Sequence, residues 1–191
     1  ADQFLTYHLY DHNADVYATN IKINNGSYCF DTVVNDANAP AWILKDVILN
    51  MGGEHNIENI IAAITVAHLI GIKDDKIIKA VADFKGVKRR FEYILKGEKR
   101  VYIDDYAHHP EELRALITGA KAMFPGKKCI VVFQPHLFSR TRDLADGFAE
   151  VLDLADEVIL LPIYPARELP MKGVSIQLIL ERMGSEGKIV M

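Results

Sequence analysis

From Arg100 onward the chain repeats a strand-length apolar run, a polar loop and a helix-length amphipathic stretch, and this rhythm restricts the fold more than any other feature. The runs are Val101 to Asp104, Cys129 to Phe133 and Val158 to Ile163. Pro110 suits the first turn of a helix carrying Leu113, Leu116, Ile117, Ala120 and Phe124 on one face, and Leu144, Phe148, Val151 and Leu152 mark the next. Strand, helix, strand, helix is the pattern of an α/β domain with a parallel sheet and crossover helices. Ser175 is placed to cap a helix through Leu178 and Ile179, ahead of a last strand from Lys188 to Met191.

The first third reads differently. Gln3 to Leu9, Val16 to Ile23 and Ser27 to Val34 are rich in Tyr, Val, Ile, Thr and Phe, which predicts antiparallel strands, and Asn25-Gly26 supplies a tight hairpin turn. A loop is expected over Asn35 to Pro40, followed by the apolar stretch Trp42 to Leu49 and the Gly52-Gly53 pair. Ile57, Ile60, Ile61, Ile64 and Ala67 then fall at helical spacing, and Asp74-Asp75 starts a second helix with Ile77, Ile78, Val81 and Phe84. The two helices predict a packed hairpin. A beginning and an end inside strand patterns suggest a piece of a longer protein.

Composition removes several function classes. The 191 residues carry a net charge of −4 without a basic block, which argues against a general nucleic-acid binder. Cys29 and Cys129 form no Cys-x-x-Cys pair, so two free thiols in a reducing compartment are expected. No apolar window of about 18 residues and no secretion signal is present, so a soluble, cytoplasmic protein is expected.

In an open parallel sheet ligands bind beyond the carboxyl ends of the strands. Two such loops are dense in functional groups: Asp104-Asp105-Tyr106-Ala107-His108-His109-Pro110 and Gln134 to Arg142. Three readings compete for them. A metal site from His108, His109, His136 and the aspartates lacks any His-x-x-x-His spacing. Asp105 and His109 can instead cap the helix that begins at Pro110. The third reading is an anion and nucleotide site, in which Arg140 and Arg142 offer planar guanidinium forks and an aspartate accepts from ribose hydroxyls; the density of side chains favours it. Upstream, Gly53 to Asn59 opens a helix whose free amides favour anions. There Asn56 is most simply an N-cap, while Asn59, on the side of His55 and Asn56, can offer donor and acceptor to an adenine edge. His68 reads as a partly buried helix residue, and Lys88-Arg89-Arg90 as either a solvated turn or a phosphate clamp. No P-loop occurs, since Gly126-Lys127-Lys128 lacks the earlier glycine and the hydroxyl, and no nucleophile elbow is present.

The ordered set GEHNIENIIAAI (53–64), GVKRRFE (86–92), DDYAHHPEE (104–112) and FQPHLFSRTRDL (133–144) resembles the Mur ligases of bacterial cell-wall synthesis. Within that family, FQPH followed by SRTRDL points to the branch that joins L-alanine to UDP-N-acetylmuramate. The resemblance implies that residues 1–85 are the end of a central ATP-binding domain and 86–191 most of a Rossmann-like C-terminal domain. The P-loop, the ligands of Mg2+ and the sugar-nucleotide domain would lie upstream. It implies an ATP-dependent ligase working through an acyl phosphate that the alanine amine attacks.

Residue by residue, the resemblance gives Asn59 an adenine contact, with His55 and Asn56 shaping the pocket. Asp105 would accept from the ribose, and Arg90 would reach the phosphates when the domains close. Tyr106, His108, His136 and Arg140 would form the alanine pocket, with Arg142 in support; His108, His136 and Arg140 are the expected catalytic group. Leu137 departs from the family pattern, in which a basic residue often follows the FQPH histidine. Alternatives are a family member that recycles a tripeptide onto UDP-N-acetylmuramate, a non-catalytic nucleotide-binding module, and a metal-dependent hydrolase.

Overall fold

Asn25 and Gly26 both take positive φ, 45° and 74°, as a two-residue turn matched to the twist of its strands requires. Around this turn β1 (Val16–Asn24) and β2 (Ser27–Asp36) pair antiparallel from Asn24 opposite Ser27 outward. β3 (Ala39–Leu49) completes a sheet of order β1-β2-β3. The strands thus run into the loop expected from Asn35 to Pro40. The computed structural model describes residues 4–36, 39–184 and 188–190, so residues 37–38 of that loop, Gln3 and Met191 lie outside the described residues.

Two irregularities in this sheet have a shared cause. Asn20 and Asp46 adopt φ of 53° and 54°, and the buried Asp31 carboxylate accepts from Asn20 Nδ2 at 2.7 Å and from Asp46 N at 2.8 Å. One carboxylate therefore supports a bulge on each flanking strand. Leu9 and its neighbours do not form the strand expected from Gln3: among the described residues only Tyr7 bridges, to Val16. Local side-chain bonds win there, because His8 Nδ1 accepts from the amides of Tyr10 and Asp11, and Asp15 accepts from Thr6 N and Oγ1.

The helix hairpin forms as expected. α1 (Glu54–Leu69) packs on β1 and β2 through Ile57, Ile61 and Ile64, and α2 (Asp74–Asp83) packs on β3 through Ile77 and Val81. His68 is a half-buried helix residue stacked on Trp42 at 3.8 Å between ring centroids.

β5 (Val101–Asp104) lies where the apolar run predicts it, yet among the described residues it pairs antiparallel with β4 (Glu92–Lys96) rather than joining the parallel strands. β4 escaped the sequence reading because its register shifts between Tyr93 and Leu95, which breaks the period-2 signal. The hairpin is fixed to the Asn25-Gly26 turn: Tyr93 Oη donates to Gly26 O at 2.8 Å, and Lys96 Nζ donates to the same oxygen at 3.1 Å. By contact density the chain divides into two compact units, 1–105 and 106–191.

The second unit is built from α3 (Pro110–Met123), β6 (Ile130–Phe133), α4 (Phe138–Asp143), α5 (Ala145–Leu152), β7 (Glu157–Leu160), α6 (Gln177–Leu180) and β8 (Lys188–Val190). Its strands are parallel in the order β6-β7-β8, as the strand–helix rhythm predicts. Leu113, Phe133, Phe148, Leu152, Leu160 and Ile179 form the core that holds helices against the sheet. β7 stops at Leu160, short of Ile163, where Pro162 cannot continue a ladder. No helix among the described residues is long and apolar enough to cross a membrane.

Candidate functional site

The first cluster gathers at the start of α1. Gly53 occupies the N-cap with φ of 86°, a conformation other residues resist, so Asn56 is not the cap the sequence suggests. Asn56 lies in the first turn, and its Nδ2 donates back to Gly52 O at 2.7 Å, which fastens the glycine turn. The His55 ring folds over Gly53, where a Cβ would come within 2.5 Å of Cε1. His55 and Asn59, one turn apart, are exposed on the same side of the helix.

Gly52 connects this turn to the RRFE segment. A Cβ on Gly52 would lie 2.1 Å from the Phe91 ring, and that ring is only 5% exposed. Phe91 holds φ of 48° while its amide donates to Asp105 Oδ2 at 2.7 Å. Arg89, at φ of 58°, donates its amide to Glu92 Oε2 at 2.8 Å. The Arg90 side chain between them is exposed and makes no polar contact among the described residues. Asp105 thus fixes the Arg-Arg-Phe turn, and the N-cap position of α3 is His109. His55, Asn56, Asn59, Arg90 and Asp105, expected as nucleotide contacts, all belong to the first unit.

The second cluster forms on the loops that flank α3 and follow β6. Glu112 accepts from the amides of His108 and His109 at 2.9 and 3.1 Å, and His109 stands at the N-cap of α3, so the structural reading of His109 holds. His108 Nδ1 lies 2.8 Å from Tyr106 O. Ring centroids of Tyr106 and His108 are 5.0 Å apart, those of Tyr106 and His136 6.4 Å, and those of His136 and Tyr164 5.0 Å. Tyr106, His108 and His136 are therefore brought together as the sequence predicts. Burial, then the neighbouring Arg140, then His108, hold the His136 imidazole below its usual range, which favours its neutral form.

Arg140 projects from α4, and its Nη1 is buried without a hydrogen-bond partner. A guanidinium carries only donors, so this unpaired N–H group is suited to donating to a small anion. Arg142 is different: exposed, it donates through Nε to Asp143 Oδ1 at 2.7 Å. Leu137 is the N-cap of α4 with φ of 74°, a left-handed backbone unusual for leucine. No group of three or more His, Cys, Asp or Glu among the described residues could hold a metal ion.

Sequence reasoning missed two partners of this loop. Tyr164 N donates to Pro135 O at 2.8 Å, and Leu137 N donates to Tyr164 O at 2.9 Å. The Glu168 carboxylate accepts from Ser139 N at 2.9 Å and from Ser139 Oγ. The rule that directed attention to the loops after β5 and β6 applies equally to the one after β7, and would have found both. Together the second cluster can receive a small carboxylate at Arg140 near the His136 imidazole.

Comparison with known proteins carries the same motifs further. A UDP-N-acetylmuramate–L-alanine ligase of Flavobacterium johnsoniae is 50% identical over 166 residues, covering 87% of this chain and 36% of that protein. The crystal structure of the UDP-N-acetylmuramate-alanine ligase MurC from Thermotoga maritima superposes with a TM-score of 0.72 at 26% identity, over 97% of this chain and 38% of that one. A murein peptide ligase from Psychrobacter arcticus, 24% identical, shares the fold with a TM-score of 0.54 over 96% of this chain and 37% of that one. The chain thus spans little more than a third of the length of the proteins it matches. Residues 89–190 match the family described as Mur ligase, glutamate ligase domain, from the RRFE turn through both loops of the second cluster. With that match over more than half of its residues, the chain belongs to the Mur ligase family.

Proposed function

We propose that this chain is part of an ATP-dependent ligase that joins L-alanine to UDP-N-acetylmuramate in peptidoglycan synthesis. The observation that carries the reading is the buried, unpartnered Nη1 of Arg140, with His136, whose pKa is lowered by burial and by Arg140, as its neighbour. An amino acid brings a carboxylate for the first and an amine for the second. In this reading Arg140 binds the alanine carboxylate, and Tyr106 and His108 wall the pocket. His136 accepts the proton that the alanine ammonium must lose before it can act as a nucleophile. The amine then attacks the acyl carbon of the activated muramate; the C–N bond forms, the C–O bond to phosphate breaks and inorganic phosphate leaves. Arg142, already paired with Asp143, contributes positive potential rather than a direct contact.

ATP supplies the phosphoryl group that activates the carboxylate. The exposed Asn59 amide, the His55 ring over Gly53 and the uncommitted Arg90 fit a nucleotide, with Asn59 and His55 toward adenine, Asn56 supporting the turn, Asp105 toward the ribose and Arg90 toward the phosphates. Residues 1–85 would be the end of the ATP-binding domain and 86–191 the ligase domain, which the family match from residue 89 supports. The free thiols of Cys29 and Cys129 agree with a cytoplasmic setting, where ATP is available.

The test is ATP-dependent phosphate release by the full-length protein with UDP-N-acetylmuramate and either L-alanine, no amino acid or a tripeptide. Release is expected to require L-alanine, and Arg140→Ala should raise the alanine KM by at least about 30-fold, or ~2 kcal/mol. A response to the tripeptide alone, or an unchanged alanine KM in Arg140→Ala, would overturn the assignment.

A further inference from the structure

The turn that carries Arg140 is held from outside. Leu137, three residues before it, sits at φ of 74°, unusual for leucine, and its carbonyl accepts from Thr141 N and Oγ1 inside the helix. The loop after β7 adds bonds from outside at both ends of that turn. Upstream, the backbone of Tyr164 brackets His136 with two hydrogen bonds, to Pro135 O and from Leu137 N. Downstream, the half-buried Glu168 carboxylate takes both the amide and the hydroxyl of Ser139, the residue next to Arg140. The same bonds, first the Ser139 hydroxyl and then its amide, keep the Glu168 carboxyl below its ordinary range. Among the described residues Glu168 bonds neither Arg140 nor His136; its grip is on Ser139, in the turn that aims Arg140.

We infer that Glu168, with the Tyr164 backbone, is a positioning element that fixes the Leu137–Ser139 turn and so orients the Arg140 guanidinium toward an amino-acid carboxylate. The inference rests on the role proposed for Arg140. Its physical content is that a guanidinium on a six-residue helix is only as well aimed as the turn that starts the helix. With Ser139 N and Oγ released, Leu137 can relax toward negative φ, α4 rotates, and Arg140 leaves the orientation in which its Nη1 is buried. Displacements of about an ångström in such a group alter rates and affinities by roughly 100-fold.

Steady-state kinetics on the full-length ligase, with Glu168→Ala, Glu168→Gln, Arg140→Ala and the double variant Glu168→Ala/Arg140→Ala, test this. Glu168→Ala should raise the alanine KM between about 10-fold and 100-fold, leaving the KM values for ATP and UDP-N-acetylmuramate within about twofold. Glu168→Gln keeps one acceptor and the shape of the side chain, so it should show a smaller rise, which serves as the reading if the alanine variant folds poorly. In the double variant Glu168→Ala should add less than about twofold to the effect of Arg140→Ala, since a device that acts through Arg140 has nothing left to aim. A full additive effect, or equal rises in all three KM values, would assign Glu168 a general structural role and overturn the inference. If Arg140→Ala raises the alanine KM while neither Glu168 variant does, the positioning role fails and the role of Arg140 stands. If Arg140→Ala leaves it unchanged, the reading beneath fails, and the inference with it.

Discussion

Gly52→Ala should destabilise the first unit by about 2–4 kcal/mol, and the whole effect should pass through Phe91. A Cβ at Gly52 would stand 2.1 Å from Cε1 and Cζ of that ring. Carbon atoms in packed interiors rest at about 3.5–4.0 Å, so the ring must retreat by roughly 1.5 Å. It has little freedom to do so: it is 5% exposed, and the Phe91 amide is held by Asp105 at 2.7 Å. Mild overpacking costs about 1–3 kcal/mol, and loss of a buried phenylalanine about 3–5 kcal/mol, which brackets the estimate. Urea unfolding followed through Trp42, the single tryptophan, reads the first unit directly. Gly52→Ala, Phe91→Leu and the pair complete a double-mutant cycle. Leucine lacks the ring atoms nearest Gly52, so the cost of the added methyl should fall by more than about 1 kcal/mol in that background. Additivity within about 0.5 kcal/mol, or a Gly52→Ala effect below that size, would refute the argument that a shared contact ties the α1 turn to the RRFE segment.

Two further outcomes follow from the second unit. Leu137→Val should be more destabilising than Leu137→Gly by about 1–2 kcal/mol, because a β-branched residue fits poorly at φ of 74° and glycine fits freely; thermal unfolding that ranks valine at or above glycine would show that the turn carries no such strain. His136 should titrate below 6.5 in the folded protein, since burial, Arg140 and His108 all oppose its charge. Its native form then binds fewer protons than the unfolded chain as pH drops through 6.5, so its contribution to stability is present above that pH and is lost as pH falls toward the folded value. NMR titration of its ring checks the sign, and Arg140→Ala should move the midpoint upward; a midpoint at or above 6.5 would refute it.

The elements that were legible in the sequence are those whose signal is local and periodic. Ile57, Ile61 and Ile64 at helical spacing mark α1, and the Asn25-Gly26 pair marks the hairpin because both positions need positive φ. Where non-local pairing decides, the reading fell short. Val101 to Asp104 is apolar enough to read as a parallel strand, and only the shifted β4 register reveals its antiparallel partner. Gln3 to Leu9 has strand composition, but side chains of His8 and Asp15 capture the backbone first. At the site, Tyr106, His108 and His136 were legible because their loops follow apolar runs, whereas Asn56 and Asp105 proved to hold turns whose shape depends on Gly52, Gly53 and Phe91. Glu168 lies 29 positions from Ser139, so no local pattern could announce that contact.

The charged side chains around α4 separate into those that complete the fold and one that does not. Glu168 is satisfied by Ser139, and Arg142 is satisfied by Asp143. Thr141, fully buried, returns its hydroxyl proton to Leu137 O at 2.8 Å. Among the described residues of this region only Arg140 keeps a buried polar side-chain atom unpaired. An unmet donor of that kind opposes folding by about 1–3 kcal/mol, and a charged one by more. Whatever completes it recovers that free energy on binding, which makes the group selective for a partner that brings its own acceptors. The requirement is met by a carboxylate and not by an amide or a hydroxyl alone, because only the anion also balances the charge. On the proposed role of Arg140, selectivity is therefore set by what the fold leaves unsatisfied, and the rigidity of the satisfied neighbours is what keeps it so.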